Sequence, residues 1–181
     1  AGDAAALRTA LTKGGRDRAL VLWLRPADVS ALGDVPAAAP KVYLSGLMGG
    51  LERSPLPAPW RERTLMTYPF DLPDRRGVRL DYPLGWFSFR HIPVVAEQVQ
   101  ADTYLACSLL ADVLNRMADN FVRPYLVEQL QELLEHRLIT GYYPHLSLAS
   151  NQRFASKGGF VVRFRDPNGN ALVAQGDWTV P

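Results

Sequence analysis

Residues 152–170, QRFASKGGFVVRFRDPNGN, lead into a strand and then a tight turn. Between Phe160 and Arg165 the side chains alternate. Phe160, Val162 and Phe164 fall on one face and Val161, Arg163 and Arg165 on the other, the period of two that marks a half-buried strand. Asp166-Pro167-Asn168-Gly169 supplies the reversal: proline presets φ, Asp and Asn cap their own backbone, and Asn-Gly tolerates the positive φ of a hairpin connection. The return leg puts Leu172, Ala174, Trp178 and Val180 on one face and Val173, Gln175, Asp177 and Thr179 on the other. A polar outer face suits an antiparallel hairpin on the surface side of a sheet.

Upstream of this hairpin the pattern changes to alternating helix and strand. Residues 3–13 carry Ala, Leu and Arg at helical spacing and stop at Gly14-Gly15; a strand follows at about 19–24, a short helix from Pro26 to about Leu32, and a second strand at about 41–45. The Ala/Pro stretch 35–40 reads as a linker. TLMTYPF, after the proline-rich SPLPAPW, is a third strand, and the segment from Asp71 to Pro93 reads as a loop holding the basic cluster Arg75, Arg76 and Arg79, a solvated surface. Two helices follow, from Val94 to about Asp119 and from Val122 to His136. The first places Val95, Val99, Ala106, Leu110, Val113 and Met117 on a core stripe; the second buries Leu126, Leu130, Leu133 and Leu134, with Pro124 tolerated in its first turn. The sum is an α/β fold: a three-layer, open, mostly parallel sheet with crossover helices and a C-terminal antiparallel hairpin, in one lobe over residues 1–181.

Composition removes several functional classes. With 20 basic and 18 acidic residues the net charge is +2, which builds no field for nucleic acid or anionic membrane. No apolar run reaches the ~20 residues of a membrane span, and AGDAAALRTALTKGG lacks the apolar core of a signal peptide. Either the protein is cytosolic or the chain begins after its targeting segment. Cys107 is the single cysteine, which excludes an internal disulfide, and it reads as a small buried apolar residue.

The candidate chemical motifs are weak. Ser45-Gly46-Leu47-Met48-Gly49-Gly50 follows a strand as a phosphate loop would, but it lacks the lysine, and the next residues run into Pro55, Pro57 and Pro59 instead of a helix. Ser45, preceded by Tyr43 and Leu44, does not sit in the Gly-x-Ser-x-Gly elbow of a serine hydrolase. His136 reads as a helix cap, and His91 and His145 as loop surface beside prolines; their spacing matches no metal motif. Glu128, Glu132 and Glu135 form the solvated face of their helix. No cofactor and no metal are expected, and an enzyme is the weaker class.

The order of parts is itself informative. RDRALVLWLRPADVSAL, then KVYLSGLMGG, then ADTYLACSLLADVLNRM, then the leucine helix, and finally QRFASKGGFVVRF closing on GDWTVP resembles the C-terminal lobe of a type I periplasmic binding protein, in the branched-chain amino acid and amide group that serves ABC importers. The resemblance implies an extracytoplasmic, periplasmic solute-binding component, a first lobe joined by hinges, a small-molecule solute held between lobes, and ABC transporter membrane subunits as partners. The family's loop after the second strand reaches the cleft, so the resemblance assigns Ser45, Gly46 and Met48 to ligand binding. In open α/β sheets the crevice lies at the carboxyl ends of strands; those ends add Arg25 as a charge partner and Tyr68 as an aromatic wall. SGLMGG shows no acidic residue for an amino group, which departs from α-amino acid recognition. The alternative from another class is a stand-alone sensory or interaction module that keeps the lobe fold.

Overall fold

The computed structural model describes residues 19–34, 41–136, 141–149 and 154–180, together with Ala5, Ala6, Thr9 and Gln152. The expected N-terminal helix lies largely outside these residues, and the Ala/Pro linker wholly so; Ala5, Ala6 and Thr9 are helical. The fold is mixed α/β, with an open five-stranded, mostly parallel sheet and helices. The described chain divides into two compact units, one made of the residues up to Pro69 together with Gly158–Val180, the other of Phe70–Lys157.

The sheet belongs to the first unit. Its strands are β1 (Leu20–Leu22), β2 (Val42–Ser45), β3 (Thr64–Tyr68), β4 (Phe160–Phe164) and β5 (Leu172–Ala174), in that spatial order. β1, β2 and β3 are parallel, and β4 is antiparallel to both β3 and β5. Between them run α1 (Pro26–Ser30), α2 (Gly46–Gly49), a 3-10 turn (Leu51–Arg53) and α3 (Ala58–Arg61). Strands that step in one direction with right-handed crossovers carry both connections on the same face. That face is the buried one: Val42, Leu44, Met66, Tyr68, Val162 and Phe164 lie beneath Val29, Leu32 and Trp60, all under 5% exposed. Trp60 donates its indole N–H to Gly33 O at 2.8 Å, and Thr64 donates to Trp60 O at 2.8 Å, so both buried polar groups are satisfied. The opposite face carries Val21, Thr67, Val161 and Arg163, all exposed.

β4 alternates as the sequence dictates, with Phe160, Val162 and Phe164 buried, but the return leg does not: Leu172 is buried, Val173 and Ala174 are both partly buried, and Val180 is exposed. Asp166 organises the turn: its carboxylate accepts from Asn168 N at 2.7 Å and its carbonyl from Gly169 N at 3.1 Å. Gly169 is not at positive φ, so the turn closes without the left-handed residue that Asn-Gly would allow. A glycine turn also follows β2. There α2 does form, directly after Ser45, where the prolines downstream suggest no helix; it is a single turn that ends on left-handed Gly50, φ 98°.

The second unit is helical: α4 (Pro73–Phe89), α5 (Glu97–Met117) and α6 (Arg123–His136). α4 occupies the segment read as a loop. Pro73 is tolerated in its first turn, Pro83 sits in its interior, and the burial of Arg76, Leu80 and Pro83 outweighs the local cost of Gly77, Pro83 and Gly85. It ends in a Schellman motif, with Ile92 N bonding Phe87 O at 2.9 Å and His91 N bonding Ser88 O at 3.0 Å, and His91 takes the left-handed position at φ 57°. The arginine cluster is therefore helical and partly interior. Arg76 is 8% exposed and stacks over Tyr142 at 4.6 Å; Arg79 reaches Asp71 Oδ2 at 3.6 Å and Tyr143 O at 3.1 Å.

α5 buries Val113 and Met117 as expected but not the rest of the expected stripe. Ala101, Leu105, Leu109, Val113 and Met117 face inward at intervals of four, whereas Val95, Val99, Ala106 and Leu110 are exposed; Cys107 is exposed with them, not buried. Its start is fixed by Gln100, whose side-chain oxygen accepts from Val95 N and Ala96 N at 2.8 and 3.0 Å. Against the buried stripe pack Leu133 and Leu134 of α6 and Leu146, with Leu126 and Leu130 partly buried at the margin. Two tyrosines tie the 141–149 segment to α5: Tyr142 donates to Glu97, and Tyr143 donates to Asp102 Oδ2 at 3.4 Å. Burial pushes the Asp102 carboxyl above its ordinary 3.8, against the opposing effect of hydrogen bonds from Tyr143 and Gln98. Burial, followed by the charge of Asp102 and the bond to it, pushes the Tyr143 phenol above 10.0.

Candidate functional site

The first unit has a recess where β2 and β3 end and β4 enters beside them. Ser45 closes β2 and caps α2 without using its side chain, since its hydroxyl makes no cap hydrogen bond. Gly46 then presses against the end of β3. A Cβ there would stand 2.2 Å from Thr67 O, and Gly46 N approaches Thr67 Oγ1 at 3.4 Å, so only glycine lets the chain turn this closely. On the other side Gly158 and Gly159 bring the chain back. Gly159 exchanges two 3.0 Å hydrogen bonds with Thr179, and Gly158 takes φ 83° with its missing Cβ 2.1 Å from Thr179 O. Two residues without side chains beside the end of a strand leave space.

That space is about 320 Å³, bordered by Ser45, Leu47, Thr67, Tyr68, Pro69 and Gly158–Val161. Ser45 and Thr67 are register partners on parallel strands, and Thr67 is the register partner of Val161, so the three stand in one row on the same face of the sheet. Neighbouring strands lie about 4.8 Å apart, which sets the two hydroxyl groups side by side. Among the described residues, no charged one borders the recess. Tyr68 borders it but is fully buried, its hydroxyl donating to Glu52 Oε2 at 3.0 Å. Chemically the recess offers two hydroxyls in apolar surroundings, Ser45 as donor and acceptor and Thr67 chiefly as donor, since its Oγ1 already accepts from Gly46 N at 3.4 Å.

Of the residues assigned from sequence, Ser45 and Tyr68 come together here, with buried Gly46 behind them. Arg25 and Met48 do not border the recess. Arg25 precedes α1 and pairs with Asp28 at 3.2 Å, its side chain 65% exposed; Met48 is exposed on α2. Leu47 and Pro69 fall within the strand ends from Ser45 to Met48 and from Tyr68 to Phe70 expected at the crevice, whereas Thr67 and the Gly158–Val161 segment escaped the sequence reading. Two signals point to them: the glycine pair immediately before a strand, which marks close backbone approach, and a threonine opposite Ser45 once the strands are aligned.

His136 bonds Glu132 O from the last turn of α6, as a helix cap does, and Glu128, Glu132 and Glu135 are exposed on that helix. Among the described residues no cluster of three or more His, Cys, Asp or Glu could hold a metal ion. No described helix is long and apolar enough to cross a membrane. No protein-family model, curated protein or solved structure matches this chain.

Proposed function

We propose that the chain is one lobe of an extracytoplasmic solute-binding protein of the type I periplasmic architecture, serving an ABC importer, with the recess at the ends of β2 and β3 as one wall of the solute cleft. The recess carries this reading: it lies at the carboxyl ends of parallel strands, where open α/β sheets bind ligands, and its 320 Å³ suits a small molecule. The exposed Leu47 on its border and exposed Trp23 just beyond the end of β1 are apolar surface that a first lobe would cover on closing. In that architecture helices layer both faces of the sheet, and membrane subunits of the importer are the macromolecular partners.

A lobe supplying half the contacts and unable to exclude water binds weakly, with a Kd of order 1 mM, about −4 kcal/mol. The test is an NMR titration of the chain with amino acids, amides, small carboxylates and aromatic acids. Saturable shifts of the Ser45, Thr67 and Gly159 amides are expected from at least one class. A panel that leaves all three unmoved rejects the reading. The second reading, an interaction module, draws on a different observation: in the helical unit Val78, Tyr82, Phe89, Val95 and Val99 are each at least 65% exposed.

A further inference from the structure

We infer that the end of the solute entering this recess is uncharged, an apolar body ending in a group that both donates and accepts hydrogen bonds; this rests on the solute-binding reading. The observation is the row Ser45–Thr67–Val161, two in-register hydroxyls beside an aliphatic side chain, in a recess that no charged residue among those described borders. Glu52 accepts from Tyr68 and Arg25 pairs with Asp28 outside the recess, while Lys157, next to Gly158, and Arg163, on the face of Val161, are not among its lining residues. An ammonium entering here would meet hydroxyl oxygens but no carboxylate, and a carboxylate would meet two neutral donors and no cation. Either would give up its water without a counter-charge, which is the expensive case. An uncharged head uses both capacities of the paired hydroxyls, one accepting its proton and the other donating to its oxygen. Leu47, Pro69 and Val161 then face the apolar body.

The decisive experiment compares near-isosteric probes on the chain by NMR titration: isovaleramide, isovalerate, isoamylamine and leucine. Isovaleramide is expected to shift the Ser45, Thr67 and Gly159 amides with a Kd at least tenfold below the other three. Ser45→Ala and Thr67→Val should each weaken it threefold or more, and Thr67→Ser, which keeps the hydroxyl, should not. Their native spectra away from the recess show whether each variant is folded. If isovalerate, isoamylamine or leucine binds the same residues as tightly as the amide, the uncharged-solute inference is wrong while the solute site stands. Amide binding indifferent to both hydroxyl deletions also overturns it. If none of the four shifts these residues while another solute of the wider panel does, the inference fails alone. If nothing in either panel shifts them, the solute-binding reading fails with it.

Discussion

Arg61 Nη1 donates to the carbonyl of Gly169 at 2.7 Å, joining residues 108 apart in the sequence. The same guanidinium reaches Leu56 O at 2.8 Å through Nε and Ser54 O at 2.9 Å through Nη2, and it lies over the Phe164 ring at 4.5 Å. One side chain thus holds the Asp166–Gly169 turn to the connection before β3. Planar, forked donors do this and an ammonium does not. Arg61→Ala is expected to lower stability by about 2–4 kcal/mol, because several carbonyls lose a charged donor together. Arg61→Lys should recover less than half of that. Urea midpoints at unchanged slope are the measurement, and a shift of the alanine variant under about 0.5 kcal/mol would contradict the role.

The stripe on α5 is decided by a pair of neighbours. Leu109 is 8% exposed and Leu110 49%. Leu109→Ala should cost about 2–5 kcal/mol, and Leu110→Ala no more than about 1. Equal costs, read from thermal or urea unfolding, would mean that the helix is rotated from the orientation described.

Asp102 and Tyr143 give the helical unit a pH dependence with a definite sign. Both groups have their folded pKa raised, above 3.8 and above 10.0 respectively. A raised folded pKa means that the native state holds its proton more tightly than the unfolded chain, so the associated stability is full below the unfolded value and falls as pH climbs through the folded one. Asp102 therefore removes stability as pH rises from 3.8, and Tyr143 does so again above 10.0. Asp102→Asn, neutral at every pH, should abolish this loss, so that its unfolding midpoint relative to the parent's rises between about pH 3 and pH 6. A difference between the two midpoints that does not change with pH over that range would show that Asp102 does not titrate with the raised pKa.

His91 stands where glycine normally ends a helix, in the left-handed conformation at φ 57°. His91→Gly relieves the Cβ clash and is expected to stabilise by about 0.5–1 kcal/mol, net of the added freedom of the unfolded chain. Destabilisation of that size would mean that the imidazole contributes more than the strain costs.

The parts of the fold legible in the sequence are those where one periodicity has no competitor. FVVRF alternates cleanly and is bounded by DPNG, so β4, its buried face and its turn follow from local pattern alone. α4 was not legible, because Gly77, Pro83 and Gly85 speak against a helix, and its formation depends on burying Arg76 and Leu80 against residues distant in sequence. α5 is ambiguous in another way: apolar residues occupy two of its faces, and nothing local says which one Leu133 and Leu134 will meet. The recess was half legible. Ser45 and Tyr68 end strands and can be picked out, but Thr67 is an ordinary exposed threonine until register aligns it with Ser45.

The sheet-bearing unit is interrupted in sequence by the entire helical one, and β3 waits for β4 across that interval. On a ribosome, β1, β2 and β3 emerge before the helical unit, yet the free edge of β3 is paired only after that whole unit and β4 have followed them out of the exit tunnel. Until then Met66 and Tyr68, which end up fully buried, lie beside an open strand able to recruit another chain. The slow event in biogenesis is thus the arrival of β4, whose pairing must also close the longest loop in the sheet. Chains cut short before Phe160 keep that edge exposed, and they are the species a quality-control protease would have to clear.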